Sequence, residues 1–517
     1  MFIFYIKHYN MTSFVKYCLS YSTTTIQPLQ CEFSHPTKTL CNPSICKVGD
    51  DIITNIRGVN YMLWYNESGT MDSIYGPLYY ITENGDDKLR SENYIGKLNE
   101  EHTKIRWTSP DRWNFVGLED IRLVQWEDKL YATGVRRDYW TNGEGRMVLA
   151  EVDLEGNYTK EVVLEKEGLD FCEKNWMPIE DMPFHYLRWV NPLHIIKVDP
   201  QTGWCEDVLY NEMPDHDYKE YDGCQMRGSS QVIKVKDYHI AIIHLCHLEK
   251  NQKDEKCNCE YPHQFIVWDK DWNMIYLSKP FHFADYCIEF TNGMVYKDGL
   301  FYISFALNDN SAWLLSVDES TLENYLRGNE LLEVGNDDLF TRYFSNSKDS
   351  NICVEMGDYW KDKGQPSAAC CCYKRACEYF TFNVDSYYKT LLKLGRTMAS
   401  IQDCVKQERH IYLRMIDIRP TWSDGYHMLG QYYFWRNDNQ MAYTMFKLAH
   451  DYNHWKALDR VDNDVFLLKS MYYTEDYEAV EPLLCKLRFE CNETQKKDID
   501  TFLNKIKEDK KNIYRIL

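Results

Sequence analysis

Short apolar runs broken by polar turns fill the chain from about residue 41 to 325, and helical spacing replaces them from about 351. In "GLEDIRLVQWEDKLYATGVRRD", Gly117 to Asp138, the residues Leu123, Val124 and Trp126 make one apolar run. The turn "EDK" follows, and Leu130, Tyr131, Ala132 and Val135 make a second run, which predicts two short strands. The segments "QVIKVKDYHIAIIHL" and "GMVYKDGLFYISFAL" repeat this layout, with Lys-Asp at the turn and β-branched or aromatic residues on both sides. A third apolar stretch closes several units. Five polar heads precede the hairpins: "CNPSI" with Asn42, "GLEDIR" with Asp120, "EKNWMP" with Lys174, "RGSSQ" with Arg227 and "IEFTNG" with Glu289. Five units at spacings of roughly 50 to 75 residues predict a five-bladed β-propeller over residues 36–325, after an N-terminal segment 1–35. The inner strand of each blade lines the central channel, so the heads converge. The expected ring is Asn42, Asp120, Arg122, Lys174, Asn175, Arg227, Ser229 and Glu289. The plainer expectation is that these residues satisfy strand ends and turns.

From residue 351 the pattern changes. Met356-Gly357, Trp360, Ala369, Tyr373 and Ala376 follow tetratricopeptide spacing, and Tyr426, Leu429-Gly430, Tyr433, Ala442, Phe446 and Ala449 repeat it. A copy with one extra residue lies between them, in Leu394-Gly395, Met398, Tyr412, Met415 and Pro420. Small residues there let antiparallel helices approach closely while aromatics fill the layer between repeats. The expected fold class is therefore multidomain β + α: the propeller, a linker at 326–350, and an all-α tetratricopeptide-like solenoid over 351–517. Such arrays bind other chains or brace a neighbouring domain, which makes a protein partner through the helical repeats one expectation.

Composition narrows the function. The net charge of −20, without a long basic run, disfavours nucleic acid, which demands clustered Lys and Arg. The aromatic share of 15% suits both β-structure and surfaces that stack on sugar rings. Nineteen irregularly spaced cysteines, including Cys370-Cys371-Cys372, read as reduced thiols in a cytoplasmic protein. The apolar N-terminus is broken by Lys7, His8 and Lys16, too soon to span a bilayer, and Met11 offers a second start. No P-loop and no Rossmann fingerprint occurs. Asp-x-Asp appears at Asp215/Asp217, Asp269/Asp271, Asp462/Asp464 and Asp498/Asp500, a frequency that chance supplies in an Asp-rich chain. His244, Cys246, His247, Cys257, Cys259 and His263 cluster in sequence, but Cys-x-Cys is not the usual zinc-knuckle spacing. No metal and no cofactor is expected.

The ring offers the carboxylate pair Glu119 and Asp120, and cations at Arg57, Arg122, Arg136, Lys174 and Arg227. Chemistry at a glycosidic bond needs a group that exchanges a proton with the bridging oxygen. It also needs a second carboxylate to activate water, or an anion that attacks directly. Cations beside the acid suit an anionic co-substrate such as phosphate or a nucleotide diphosphate. Glu289 keeps plain hydrolysis open.

"GLEDIR" resembles the Gly-x-Glu-Asp-Pro-Arg motif of the inverting β-mannoside phosphorylases, five-bladed propellers with a related β-1,2-mannosyltransferase/phosphorylase family. "NPSI", "IRGVNY" (Arg57, Asn60), "EKNWMP", "RGSSQ", "HQFIVWD" and "IEFTNG…ISFALND" (Asp309) are similar to a branch of that superfamily found in bacteria and large DNA viruses. Members of that branch are often fused to tetratricopeptide repeats. The resemblance covers about residues 41–320. It implies that Asp120 is the catalytic acid, acting through a substrate hydroxyl, and that Arg122 is the motif's arginine. It places Lys174, Arg227 and His244 among the polar groups around sugar and anion. Ile121 stands where the family has proline, and Gln264 where related sequences have arginine, which removes a cation. The function so implied is inverting transfer of a glycosyl group, by resemblance mannosyl, from a sugar phosphate or nucleotide sugar to a sugar acceptor. A non-catalytic adaptor that binds a glycan or protein, and an inverting hydrolase, remain the alternatives.

Overall fold

The computed structural model describes residues 13–21, 23–31, 39–64, 79–82, 86–211, 225–250, 257–284, 288–328, 338–380, 383–401, 404–474 and 477–516. Two compact units divide the chain, Met1–Tyr379 and Phe380–Leu517.

The first unit contains a five-bladed propeller. Blade 1 runs outward through Thr39–Val48, Asp51–Val59, Leu89–Lys97 and Thr103–Lys104. Blade 2 runs through Glu119–Trp126, Lys129–Arg136, Arg146–Glu151 and Val162–Val163. Blade 3 uses Met177–Pro178, His185–Trp189, Leu193–Val198 and Cys205–Asn211. In blade 4 the long strand Tyr238–Lys250 pairs with two inner pieces, Gln225–Gly228 and Ile233–Val235, and outward with His263–Trp268, which in turn pairs with Met274–Leu277. Blade 5 is Glu289–Lys297, Leu300–Leu307 and Ser311–Asp318, and its outer strand is Thr25–Leu29 from the start of the chain. That antiparallel pairing of Thr25 with Ser316 through Leu29 with Ala312 closes the ring with a strand from the N-terminal segment. The tight turns are those the sequence predicts: Glu127 and Asp128, and Asp298 and Gly299, take positive φ, as two-residue hairpins require.

Apolar side chains alternate inward along these strands and pack between blades. Trp126, Trp176 and Tyr186 fill the space between blades 2 and 3, and Ile195, Ile243 and Trp268 that between blades 3 and 4. Phe265, Phe281, Phe283 and Phe305 stack between blades 4 and 5. The helix Phe14–Leu19 is seated on them through Phe14, whose ring centroid lies 4.9 Å from that of Phe281. Among the described residues four helices follow the last blade strand in the same unit, Glu319–Leu326, Leu339–Ser345, Ser350–Asp362 and Pro366–Tyr379. Trp313 of blade 5 packs edge-on against Phe344 and Trp360, with centroids 4.9 and 5.5 Å away.

The second unit is a series of antiparallel helices: Val384–Met398, Val405–Ile418, Ser423–Phe434, Asn439–Tyr452, Arg460–Thr474, Tyr477–Leu487 and Glu493–Ile516. Helix pairs close where glycine faces an aromatic ring. A Cβ at Gly395 would lie 2.4 Å from the Tyr412 ring, and one at Gly430 2.7 Å from Phe446. Among the described residues no helix is long and apolar enough to cross a membrane.

Candidate functional site

Three inner strands begin with a bulge, and the bulges aim side chains at the axis. In blade 1, Cys41 pairs with Arg57 and Ser44 with Asn55, so Asn42 and Pro43 share one partner position. In blade 2, Glu119 pairs with Val135 and Arg122 with Thr133, leaving Asp120 and Ile121 opposite Gly134. In blade 5 the extra residue is Asn292, between Thr291 and Gly293. A bulge bends its strand and re-aims one side chain. Asn42, Asp120 and Asn175 take φ of 41°, 52° and 66°, a region in which Asn and Asp are the most tolerated side chains. Gly134 is required opposite Asp120, because a Cβ there would lie 2.5 Å from the Glu119 carbonyl oxygen.

The side chains so aimed form one cluster. Arg57 Nη1 donates to Asp120 Oδ1 at 2.8 Å, and Asn42 Nδ2 donates to the same oxygen at 2.9 Å. Asp120 Oδ2 has no partner among the described residues. Arg57 Nε donates to Ser91 Oγ at 2.9 Å, which fixes the guanidinium, and its Nη2 lies 4.0 Å from Glu119. The Arg57 side chain is 5% exposed and that of Asp120 16%. Arg122 lies behind them. Its Nη1 donates to the Asp120 carbonyl at 3.1 Å, its Nε to the Ser229 carbonyl at 2.6 Å, and its Nη2 to Gly228 O at 3.2 Å and Asn175 Oδ1 at 3.4 Å. This arginine therefore ties the heads of blades 2, 3 and 4 together. Ser229 Oγ lies 2.8 Å from His244 Nδ1, and the His244 ring packs against Phe290 and Tyr261.

On the opposite side, Tyr61 donates to Asp309 Oδ2 at 3.0 Å. Asp309 occupies the hairpin turn of blade 5, at φ 51°. Asn292, which the sequence reading passes over, donates through Nδ2 to the Asn42 carbonyl at 3.3 Å, while its Oδ1 is buried without a partner among the described residues. The signal for it is the Asn-Gly pair in "IEFTNG". Tyr61 carries no such signal.

The carboxylates titrate apart. Burial pushes Asp120 up, but Arg57, the Asn42 hydrogen bond, Lys174 and Arg122 together outweigh it and hold this group below the usual range. Burial dominates at Glu119, which is raised despite Arg57, with Asp120 adding to the rise. Asp309 is raised in the same way, by burial and then by the Asp120 charge, against the pull of Arg57. Burial, with the charges of His263, Arg227, Arg122 and Lys174, keeps His244 far below the ordinary histidine value and hence neutral. Burial lowers Arg122 to about 10.

Not every expected residue joins the cluster. Lys174 is exposed and acts on it through charge. Arg227 is bonded to Gln225 Oε1 and reaches His244 through its charge. Asn60 bridges the backbone, from its Nδ2 to Lys88 O and from Arg90 N to its Oδ1. Arg136 is buried with Glu161 and Asp138, inside blade 2. Glu289 is 0% exposed, accepts the backbone N–H groups of Phe283 and Ala284 and lies 3.7 Å from His282 Nδ1, so its carboxylate caps a chain segment. Gln264 is buried, donating to Ser278 O at 2.7 Å. Among the described residues no group of His, Cys, Asp and Glu is arranged to hold a metal ion. The side chains of His247, Cys257 and Cys259, the pair Asp215/Asp217, and residues 1–12 lie outside the described residues.

No protein-family model matches the chain, and no curated protein matches it. Solved structures do. A β-1,2-mannobiose phosphorylase from Listeria innocua, in complex with β-1,2-mannobiose, is 13% identical with a TM-score of 0.37, covering 58% of this chain and 96% of that one. A glycosyl hydrolase from Bacteroides ovatus is 12% identical with a TM-score of 0.37, covering 55% of this chain and 85% of that one. A GDP-Man-dependent mannosyltransferase from Leishmania mexicana is 11% identical with a TM-score of 0.35, covering 60% and 93%. Likenesses of this degree assign no chemistry to the chain.

Proposed function

We propose that the axial cluster is a glycosyl-transfer centre, with Asp120 as its proton carrier. The observation that supports this is the state of Asp120: one oxygen is held by Arg57 and Asn42, the other carries no bond among the described residues, and the carboxylate is kept ionised. An ionised carboxylate with one unengaged oxygen is a general base. In the synthetic direction the acceptor hydroxyl gives its proton to Asp120, directly or through a sugar hydroxyl. The acceptor oxygen then bonds to the anomeric carbon from the face opposite the leaving group. The donor's phosphate departs with the electron pair of the broken C–O bond, and the configuration inverts. Lys174, exposed and close enough to bias both Asp120 and Glu119, supplies positive charge for that anion. Run backwards, protonated Asp120 returns its proton to the glycosidic oxygen. The resemblance of "GLEDIR" makes mannose the first sugar to try.

A second reading has one observation in its favour. Asp309 is raised while Asp120 is lowered, and carboxyl groups driven apart in this way suit an acid and a base in inverting hydrolysis. A mass-spectrometric product screen separates the two. The protein is supplied with mannose 1-phosphate or GDP-mannose and a panel of sugar acceptors. A new oligosaccharide supports transfer. Free mannose released from a β-mannoside without any donor or phosphate supports hydrolysis. Neither product from folded protein overturns the enzymatic reading.

A further inference from the structure

The helical hairpin Ser350–Asp362 and Pro366–Tyr379 is joined to the turn that carries Asp309. Asn308 Nδ2 donates to Cys371 Sγ at 3.2 Å. Cys371 is the middle residue of the three-cysteine run, and its neighbours Cys370 and Cys372 are buried, at 1% and 4% exposure. A second tie lies beside it. Ser347 Oγ donates to the Ala284 carbonyl at 3.0 Å, and Arg375 Nε donates to the Ser347 carbonyl at 2.8 Å. Arg375 sits on the same helix as Cys371, so one helix reaches two loops at the rim of blades 4 and 5.

The turn is a segment that benefits from such support. Asn308 and Asp309 both take left-handed backbone, at φ 53° and 51°, two successive non-glycine residues in a sparsely populated region. Its backbone is held by Asn308 N to Ile288 O at 2.8 Å and by Asn310 N to Leu307 O at 2.9 Å. Asp309 in turn receives the Tyr61 hydroxyl and lies in the field of Arg57 and Asp120. Displacing the turn therefore moves a carboxylate of the cluster.

Resting on the glycosyl-transfer reading, we propose that this hairpin is a brace for the catalytic rim, and that Cys371 is a positioning residue that sets Asp309 through Asn308. The first helical pair then belongs to the propeller's working parts. Its small, apolar thiol run serves close packing with one acceptor pointed at the turn.

The test compares full-length wild type with Cys371→Ala and Cys371→Ser, read first by amide hydrogen exchange at Asn308 and Asn310. Removing the acceptor speeds exchange there by about 3- to 10-fold, the range that one lost hydrogen bond provides. Cys371→Ser keeps an acceptor on the same Cβ and restores most of the protection. With an acceptor sugar, Cys371→Ala raises KM by a similar factor and leaves kcat within about twofold, as expected for lost positioning without lost proton transfer. If Cys371→Ala fails to fold, Ser347→Ala, which removes the hydroxyl's bonds to Ala284 O and Arg375 Nη2 and leaves the Arg375 Nε bond to the Ser347 carbonyl, carries the same expectation. Unchanged exchange in a folded variant overturns the brace. Failure of the glycosyl reading shows differently: wild type makes no product, whatever the exchange rates.

Discussion

Replacing Arg57 by Met tests the electrostatics of the cluster. In the wild-type protein the guanidinium lies 2.8 Å from Asp120 Oδ1 and both groups are largely buried. For charge centres about 4 Å apart at an effective dielectric constant of about 20, the attraction is about 4 kcal/mol. At 1.36 kcal/mol per pKa unit that bounds the effect at about 3 units, and arginine–aspartate pairs ordinarily lower the acid by about 1 to 3. Without Arg57 the burial of Asp120 is opposed only by Asn42, Lys174 and Arg122. Its pKa then rises by about 1 to 3 units. The assay is the pH–rate profile of glycosyl transfer. If ionised Asp120 is the base, the acidic limb moves up by that amount, as an apparent value shared with Glu119. Stability follows with its own sign. The wild-type group is depressed, so its contribution is present above the ordinary aspartate value and lost as pH falls through the folded pKa. In Arg57→Met that contribution shrinks, because the folded value moves back up toward the unfolded one and less stability is left to lose on acidification. Removing one partner of a buried pair costs about 3–5 kcal/mol at pH 7, and urea unfolding at pH 7 and pH 5 reads both statements. An acidic limb that stays in place, in a folded and active variant, refutes the reasoning.

Two further outcomes follow from the geometry. Glu289→Gln retains one acceptor but turns an amide N–H toward a backbone N–H of Phe283 or Ala284, and loses about 1–3 kcal/mol in urea unfolding while leaving the pH–rate profile unchanged. A moved profile would return Glu289 to the chemistry. Gly395→Ala puts a methyl 2.4 Å from the buried Tyr412 ring, and overpacking costs about 1–3 kcal/mol, more than the roughly 1 kcal/mol that alanine gains in a helix. Thermal unfolding followed by helical circular dichroism falls to a lower temperature, and a rise would contradict close packing there.

The blades were legible because each hairpin is local: two apolar runs and a turn whose residues accept positive φ, as at Asp298-Gly299. Asn42, Asp120 and Arg122 come together because strand heads in register converge, whereas Arg57 reaches Asp120 from the second strand of blade 1. Closure of the ring was not legible, because Thr25–Leu29 pairs with residues 312–316 and no local pattern announces such a partner. The head of blade 5 was read at Glu289, whereas the bulge lies at Asn292. One inserted residue shifts the register without changing the apolar pattern around it. Arg136 illustrates the converse difficulty: a buried arginine looks the same in sequence whether it meets a substrate or, as here, Glu161 and Asp138. The glycine–aromatic spacing of the helices was legible in full, but the packing of Trp360 on Trp313 of blade 5 is non-local and had no sequence signature.

The most direct measurement is the rate of glycosyl transfer by Asp120→Asn beside the wild type, with the donor that the product screen identifies. Asparagine preserves the volume and can accept from Arg57 and Asn42, but it takes no proton. Turnover is expected to fall by about 10²- to 10⁴-fold while the unfolding midpoint stays near that of the wild type. A folded Asp120→Asn that turns over within about threefold of wild type, a difference far below that of lost acid–base catalysis, would contradict Asp120 as the proton carrier.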